Sequence, residues 1–231
     1  MAVYEHIFFD LDQTIWDFET NSRETLLELS VKYDFAGKGI SSVEHFLKEY
    51  FPINERMWDE YRKGLVDKHT LRYGRFEEAL KKFHIDDKQL AGNVANDYTS
   101  MAPLKTNMFP HALEVLDYLK RKYSLHIITN GFEEVQHIKI KNCRIAEYFD
   151  QVITSERAGF KKPDKRIFEY SMNLTNSLPA NSLMIGDNME ADIIGAREAG
   201  IHQVYFNPSG LKHSENITYE IKNLKELMSF L

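Results

Sequence analysis

Apolar and polar positions along the chain follow two different periods, which divide it into three parts. A short apolar run from Ile7 to Phe9 predicts a buried strand near the N-terminus. From Asp17 to about Ser100 the apolar residues recur at helical spacing, so we predict about four helices there, the second interrupted at Pro52. After Pro110, short apolar runs alternate with helical patterns until the sequence ends.

The alternating part predicts repeated strand–helix units, which form parallel sheets. We therefore expect an α/β protein with a doubly wound, Rossmann-like parallel sheet core and an inserted all-helical domain. The expected core comprises residues 1–15 and 105–231, and the expected helical insert comprises residues 16–104. Strands are predicted at 125–129, 151–154, 182–186 and 203–206, and helices at 134–145, 165–173, 190–199 and 224–231.

Composition removes several classes of function. The chain has 231 residues and a formal net charge of −6, which argues against a nucleic-acid polymer as partner but leaves a small anionic substrate open. Its single cysteine, Cys143, allows no intrachain disulfide and is interpreted as a packing residue in a cytoplasmic protein. Neither a signal peptide nor a membrane-spanning run is found, so we expect no membrane partner. The expected oligomeric state is a monomer or a homodimer.

Candidate chemistry begins at the end of the first predicted strand. Asp10 and Asp12 follow Phe9 directly, and period-two geometry would place both carboxylates on one face of an extended chain. Two acids so close repel each other, which requires a metal, a shared proton or two different roles. An Asp-x-Asp pair alone is common in turns and helix caps, so later motifs have to decide.

Polar residues also follow the next two core strands. Thr129, Asn130 and Gly131 could present a hydroxyl and backbone N–H groups to an anion, although the same tripeptide would serve as a plain turn. Lys162 precedes Pro163 before the next predicted helix, where its ammonium could neutralise phosphate charge or simply be solvated.

The last motif supplies more carboxylates. Asp187 would stand at the end of a strand, and Asp192 would lie in the first turns of the following helix, where helix-dipole stabilisation is the alternative and is accepted for Glu190. Carboxyl ends of parallel strands share one edge of a sheet, so these acids should converge with Asp10 and Asp12. Three or four converging acids need a divalent cation, and hard oxygen ligands suit Mg²⁺.

Together these four motifs resemble the haloacid dehalogenase superfamily, in its phosphatase branch. They stand as Asp10 to Thr14, Thr129 to Gly131, Lys162 with Pro163, and Gly186-Asp187 with Asp192. The helical insert resembles the family's C1 cap, and the stretches Ile127 to Phe132 and Gln136 to Lys141 resemble the bacterial pyrimidine 5′-nucleotidase subgroup.

The resemblance implies a role for each motif. Asp10 would be the nucleophile that forms an aspartyl-phosphate, and Asp12 would act as general acid and then general base. Thr129 and the Asn130 backbone would hold phosphoryl oxygens, and Lys162 would balance their charge. Mg²⁺ would be bound by Asp10, the Asp12 carbonyl oxygen and Asp187. Asp192 would support these ligands without touching the ion, or would reach it through a water molecule.

We therefore expect a Mg²⁺-dependent phosphohydrolase of nucleoside monophosphates, pyrimidine ones first. The alternatives are a phosphatase of sugar phosphates or other small metabolites, a 2-haloacid dehalogenase, and a binding protein with a silent site. In the insert region, Trp16 and Phe18 could stack on a base or pack at a hinge. Arg62, Arg72 and Arg75 could meet a substrate, but a solvated helix face is the expectation for most of them.

Overall fold

A computed structural model describes residues 4–231, which form two compact units. One is an α/β unit made of the chain up to Phe18 and of Thr106–Leu231, and the other is a helical unit, Glu19–Lys105. In chain order the strands and α-helices are β1 (His6–Phe9), α1 (Phe18–Lys32), α2 (Val43–Arg62), α3 (Lys68–Lys81), α4 (Lys88–Met101), α5 (Ala112–Lys120), β2 (Ser124–Thr129), α6 (Glu133–Asn142), β3 (Phe149–Thr154), α7 (Ser155–Ala158), α8 (Lys165–Thr175), β4 (Ser182–Gly186), α9 (Gly195–Glu198), β5 (His202–Phe206) and β6 (Tyr219–Ile221).

The strands pair in the order β3-β2-β1-β4-β5-β6, and every pair is parallel, which confirms the predicted doubly wound sheet. β1 lies in the middle, with Phe9 opposite Ile127 of β2 and Ile185 of β4. The chain order reverses between β1 and β4, and in such sheets the crevice beyond the strand ends at this point is the usual ligand site.

Residues of the buried strands alternate between two apolar cores. Ile7 and Phe9 of β1 belong to the core on one face of the sheet, together with Ile127 and Ile185. Phe8, between them, belongs to the opposite core. Both faces are therefore covered, which explains why these strands read as continuous apolar runs in the sequence.

The helical unit has its own apolar core, in which a cluster of aromatic rings packs among aliphatic side chains such as Leu26 and Leu71. Tyr50 stacks on Phe46 and Phe76, with ring centroids 5.9 and 5.1 Å apart, and Tyr98 packs 5.2 Å from Phe76. Among residues 4–231, no helix combines the length and the apolar character that crossing a bilayer requires.

Local details of the sequence prediction were wrong in four places. Helix α2 continues through Pro52, because the apolar residues on either side of the proline are buried and hold the helix together. The helix predicted at 190–199 begins as a π-helix, Met189–Ile194, before α9. The segment predicted as a helix at 224–231 is a 3₁₀-helix, Leu224–Ser229, and the short edge strand β6 was missed because only Ile221 in it is buried.

Candidate active site

Asp10 continues directly from β1, and its backbone N–H donates to the Ile185 carbonyl at 2.9 Å. The chain then folds back on itself at once, with the N–H groups of Ile15 and Trp16 donating to the Leu11 carbonyl. This tight turn replaces the extended geometry predicted for the two acids, and their carboxylates have different partners. Asp10 contacts Lys162, whereas Asp12 contacts helix α6.

Lys162 lies at the centre of the buried charges. Its Nζ donates to Asp10 at 2.7 Å, to Asp192 at 2.5 Å and to the Ile128 carbonyl at 2.7 Å, so all three of its donors are used. Its side chain is only 2% exposed. Burial opposes its charge, but the carboxylates of Asp10 and Asp192 outweigh that effect and raise the pKa of Lys162 above its ordinary value.

A cluster of three carboxylates surrounds this ammonium. Oxygens of Asp10, Asp187 and Asp192 lie within 4.8 Å of one another. Burial raises the pKa of Asp10 to about 7, and Asp192 and Asp12 add to that effect while Lys162 opposes it. Burial, with the charges of Asp10 and Asp192, also raises the pKa of Asp187 well above its usual range. With all three carboxylates ionised, one ammonium would leave two negative charges uncompensated, which a divalent cation bound by hard oxygens would balance.

The three acids differ in how far they are already occupied. Asp192 accepts from Lys162 on one oxygen and from the Asn188 N–H on the other, at 3.0 Å. Among residues 4–231, Asp187 accepts a hydrogen bond on one oxygen only, from the Thr14 hydroxyl at 3.0 Å. The oxygen of Asp10 that does not contact Lys162 accepts no hydrogen bond from residues 4–231. Asp10 and Asp187 can therefore offer a free oxygen to a metal, whereas Asp192 cannot do so without losing a partner.

Gly186 permits this arrangement at the end of β4. A Cβ atom at this position would lie 2.3 Å from a carboxylate oxygen of Asp192. Any other residue there would displace Asp192 and, through it, Lys162.

The motif after β2 uses its polar groups mainly to organise the site. The Asn130 side chain donates to the Lys162 carbonyl and accepts from the Lys162 N–H, both at 2.9 Å, so it fixes the segment that carries the lysine. The Thr129 hydroxyl accepts from the Gly131 N–H and from Gln136, each at 3.0 Å. Because its oxygen accepts both bonds, the hydroxyl proton is left to be donated to another group.

Two residues to which the sequence alone assigned no role complete the site; both lie in the stretch Gln136 to Lys141, which carried the resemblance to the nucleotidase subgroup. Gln136 and Lys139 are buried on α6 and donate to the two carboxylate oxygens of Asp12, at 2.6 and 2.5 Å. Apart from that resemblance, the sequence shows an amide and an ammonium three residues apart on a helix that begins just beyond a motif. That spacing places both on one helix face but does not say what they contact.

The aromatic candidates are packing residues of the α/β unit. Trp16 is 1% exposed and lies in the core that contains Ile7 and Phe9, with the Lys139 ammonium 4.1 Å from its ring centre. Phe18 packs against the same core, with its ring centroid 6.3 Å from that of Trp16. These positions agree with the packing alternative.

The remaining candidates fall into different environments. Arg75 is 4% exposed and does not lie on a solvated face; its guanidinium donates to Asn54 at 2.8 Å and lies 5.2 Å from the Tyr98 ring centre. Arg62 pairs with Asp59 at 3.5 Å on its own helix. Arg72 is half-buried, Glu190 is exposed and Cys143 is a buried free thiol.

Comparisons with known proteins point to one family. A model of haloacid dehalogenase-like hydrolases matches residues 4–200. The chain is 30% identical to the pyrimidine 5′-nucleotidase YjjG of Escherichia coli, over 99% of this chain and 98% of that one. It is 28% identical to human N-acylneuraminate-9-phosphatase, over 97% and 92% of the two chains. The HAD-hydrolase YfnB of Bacillus subtilis, in a magnesium-bound crystal structure, superposes with a TM-score of 0.89 at 25% identity, covering 98% of each chain.

Proposed function

Since the chain belongs to the haloacid dehalogenase-like hydrolase family, we propose that it is a Mg²⁺-dependent phosphohydrolase that works through an aspartyl-phosphate. The observation that carries this proposal is the buried carboxylate cluster around Lys162. When ionised, this cluster carries negative charge that a cation would balance. Asp10 follows the central strand and has an oxygen that is free to react.

In the first half-reaction, the free Asp10 oxygen attacks the phosphorus of a phosphate monoester. The bond from phosphorus to the leaving oxygen breaks, and Asp12 gives that oxygen a proton, so an alcohol departs. In the second half-reaction, Asp12 takes a proton from water, which attacks the phosphorus and returns Asp10 as a carboxylate with release of inorganic phosphate. Phosphoryl transfer of this kind depends mainly on in-line positioning and charge stabilisation.

The other motif residues hold the transferring group. The Thr129 hydroxyl and the Asn130 backbone N–H would donate to phosphoryl oxygens, and Lys162 would stabilise their charge. Mg²⁺ would be held by Asp10, Asp187 and the Asp12 carbonyl oxygen, while Asp192 keeps Lys162 in place. Such an ion would neutralise charge on the phosphoryl group.

We propose pyrimidine nucleoside monophosphates as the substrate class, supported by the full-length similarity to a pyrimidine 5′-nucleotidase. Sugar phosphates are the second candidate, supported by the similarity to N-acylneuraminate-9-phosphatase. A 2-haloacid dehalogenase would need neither Asp12 as acid and base nor Asp187 as a metal ligand. A silent site is disfavoured because uncompensated buried acids destabilise the fold without benefit.

The test is release of inorganic phosphate from a panel of pyrimidine and purine monophosphates, sugar phosphates and p-nitrophenyl phosphate, with Mg²⁺ and with excess EDTA. We expect turnover only with Mg²⁺ and the highest kcat/KM for a pyrimidine monophosphate. Full turnover in EDTA would contradict the metal assignment. A higher kcat/KM for a sugar phosphate would leave the chemistry intact and replace the substrate class.

A further inference from the structure

Both carboxylate oxygens of Asp12 are occupied by donors from a single helix face. Gln136 Nε2 donates to one oxygen at 2.6 Å, and Lys139 Nζ donates to the other at 2.5 Å. Gln136 and Lys139 are three positions apart on α6, and this spacing places their side chains on the same side of the helix. Asp12 is thus held at both oxygens, although its side chain is 26% exposed and would otherwise be free to rotate. We call Gln136 and Lys139 the Asp12 clamp.

Lys139 is itself fixed from a second side. Its ammonium lies 4.1 Å from the ring centre of Trp16, within cation–π range, and its side chain is only 8% exposed. Trp16 closes the turn that carries Asp12, because its carbonyl accepts from the Gln13 N–H at 2.8 Å. The ammonium therefore joins the two ends of this turn, and the buried indole acts as one wall of its binding position.

Gln136 is fixed by the motif after β2. Its Nε2 also donates to the Thr129 hydroxyl at 3.0 Å. A Cβ atom on Gly131 would lie 1.5 Å from this nitrogen, so only glycine leaves room for the amide. The amide oxygen of Gln136 is buried and accepts no hydrogen bond from residues 4–231, which destabilises the fold. The unpaired oxygen indicates that the amide serves through its N–H groups, which donate to Asp12 and Thr129.

From these contacts we propose that Gln136 and Lys139 are positioning residues, which hold the Asp12 carboxyl group in the orientation for proton transfer. Each oxygen keeps a second lone pair, and one of these carries the proton that is given to the leaving oxygen and later accepts a proton from water. The inference rests on the proposed function, since it presumes that Asp12 is the acid and base. Neither clamp residue touches the phosphoryl group in this role. Their contribution is to restrict the Asp12 side chain, and misplacing a reacting group by about 1 Å can cost about 100-fold in rate.

The first experiment compares leaving groups in Lys139→Met, Lys139→Arg and the control Lys141→Met. Lys141 lies on the same helix but is exposed, so the control removes an equal charge without touching Asp12. Lys139→Met should lower kcat/KM about 100-fold for an alkyl phosphate and only a few-fold for p-nitrophenyl phosphate, whose leaving group departs without a proton. Lys139→Arg should recover most of the loss, and Lys141→Met should change neither value. Equal losses on both esters would overturn the proposal.

A double-mutant cycle then asks whether Lys139 acts through Asp12. In an Asp12→Asn background, adding Lys139→Met should lower the residual kcat/KM for the alkyl phosphate by less than about twofold, because there is no carboxylate left to position. Gln136→Met should behave in the same way. Losses that multiply in the double variants would mean that the clamp residues act on the substrate or the fold instead, and would overturn the proposal.

A measurement without turnover separates this inference from the proposed function. The Lys139 ammonium should give a slowly exchanging NMR signal that is lost in Asp12→Asn but kept in Lys141→Met. If wild-type protein shows this signal yet hydrolyses no phosphate ester with Mg²⁺, the contact stands while the proposed function and the catalytic role of the clamp both fail. If the signal is insensitive to Asp12→Asn in an active enzyme, the clamp is wrong and the phosphatase assignment survives.

Discussion

The acids around Lys162 differ in how well their charge is compensated, and this difference sets the roles expected of single residues. Asp192 shares the ammonium and a backbone N–H, so both of its oxygens are satisfied. Within the described part of the chain, the one hydrogen-bond donor to Asp187 is a neutral hydroxyl, and burial holds the pKa of Asp187 high. Asp10 lies between the two, with one oxygen on Lys162 and a pKa of about 7. A bound cation should therefore stabilise the ionised forms of Asp10 and Asp187 most.

Asp10→Asn should abolish turnover and leave the fold intact. An amide is a poor nucleophile and a weaker metal ligand, whereas removing one of the uncompensated charges does not harm packing. Phosphate release should fall to background. The circular dichroism spectrum should stay the same, and the melting temperature in EDTA should stay the same or rise. Asp86→Asn is the matched control, because its side chain is 75% exposed and far along the chain from the motifs. A folded Asp10→Asn variant with near-wild-type activity would rule Asp10 out as nucleophile.

Asp12→Asn and Asp187→Asn should separate proton transfer from metal binding. The Asp12 substitution keeps the backbone carbonyl and removes the acid, so activity should fall roughly 10²–10⁴-fold while Mg²⁺ affinity is largely retained. Asp187→Asn removes a carboxylate with a free oxygen, so Mg²⁺ affinity should fall strongly. Calorimetric Mg²⁺ titration of both variants measures this, and equal losses of affinity would overturn the assignment.

At the scale of elements, strand β2 carries a buried histidine whose charge the fold does not accommodate. His126 is 2% exposed, and its Nε2 lies 3.1 Å from Nδ1 of His6 on β1. Its other ring nitrogen has no partner among residues 4–231. Burial, and secondarily the charge of His6, lowers the pKa of His126 to about 4. The imidazole is thus neutral in the folded sheet.

This histidine predicts a loss of stability in acid. The unfolded chain takes up a proton near pH 6.5 but the folded one only near pH 4, so the unfolding free energy falls as the pH drops between these values. The difference corresponds to about 3 kcal/mol. Urea unfolding at about pH 7 and about pH 4.5 should show a smaller loss for His126→Leu than for wild type. His137→Leu, at an exposed position on α6, is the control and should behave as wild type. An unchanged acid loss in His126→Leu would contradict the prediction.

At the scale of the whole molecule, the helical unit is attached to the α/β unit by two segments that run side by side. Trp16 and Met108 form an antiparallel bridge, the Asp17 N–H donates to the Asn107 carbonyl at 3.1 Å, and the Phe109 N–H donates to the Ile15 carbonyl at 2.9 Å. These contacts lie within the α/β unit. The two segments therefore have the geometry of a hairpin stem, which a two-residue turn could close.

We expect the helical unit to choose the substrate, because the motif residues of the α/β unit can recognise only phosphate and metal. A variant in which Asn-Gly replaces residues 18–106 should fold, hydrolyse p-nitrophenyl phosphate within about tenfold of wild type, and lose discrimination among nucleoside monophosphates. The comparison of kcat/KM across the substrate panel, with the full chain as control, decides this. A folded deletion variant that keeps the wild-type preference would place specificity in the α/β unit.

The sequence by itself determined the class of fold and the place of the chemistry. The alternation of apolar runs with helical patterns after Pro110 is a local property, and it predicted the parallel sheet. Parallel strands bring their carboxyl ends to one edge, so motifs found after separate strands were bound to meet there. This is why Asp10, Asp187 and Asp192 could be grouped from the sequence alone, whereas Lys162, which lies beyond α7, joined them through the family resemblance, which is confirmed.

Tertiary structure alone decided which partner each charge has. Gln136 lies 124 positions from Asp12, and the contact depends on strand register and on the absence of a side chain at Gly131. The sequence around Trp16 does not show whether its ring contacts a substrate or a lysine. Its packing against the core of the α/β unit places it against Lys139. Hydrophobic periodicity specifies which face of an element is buried, but not which side chain of a distant element it meets.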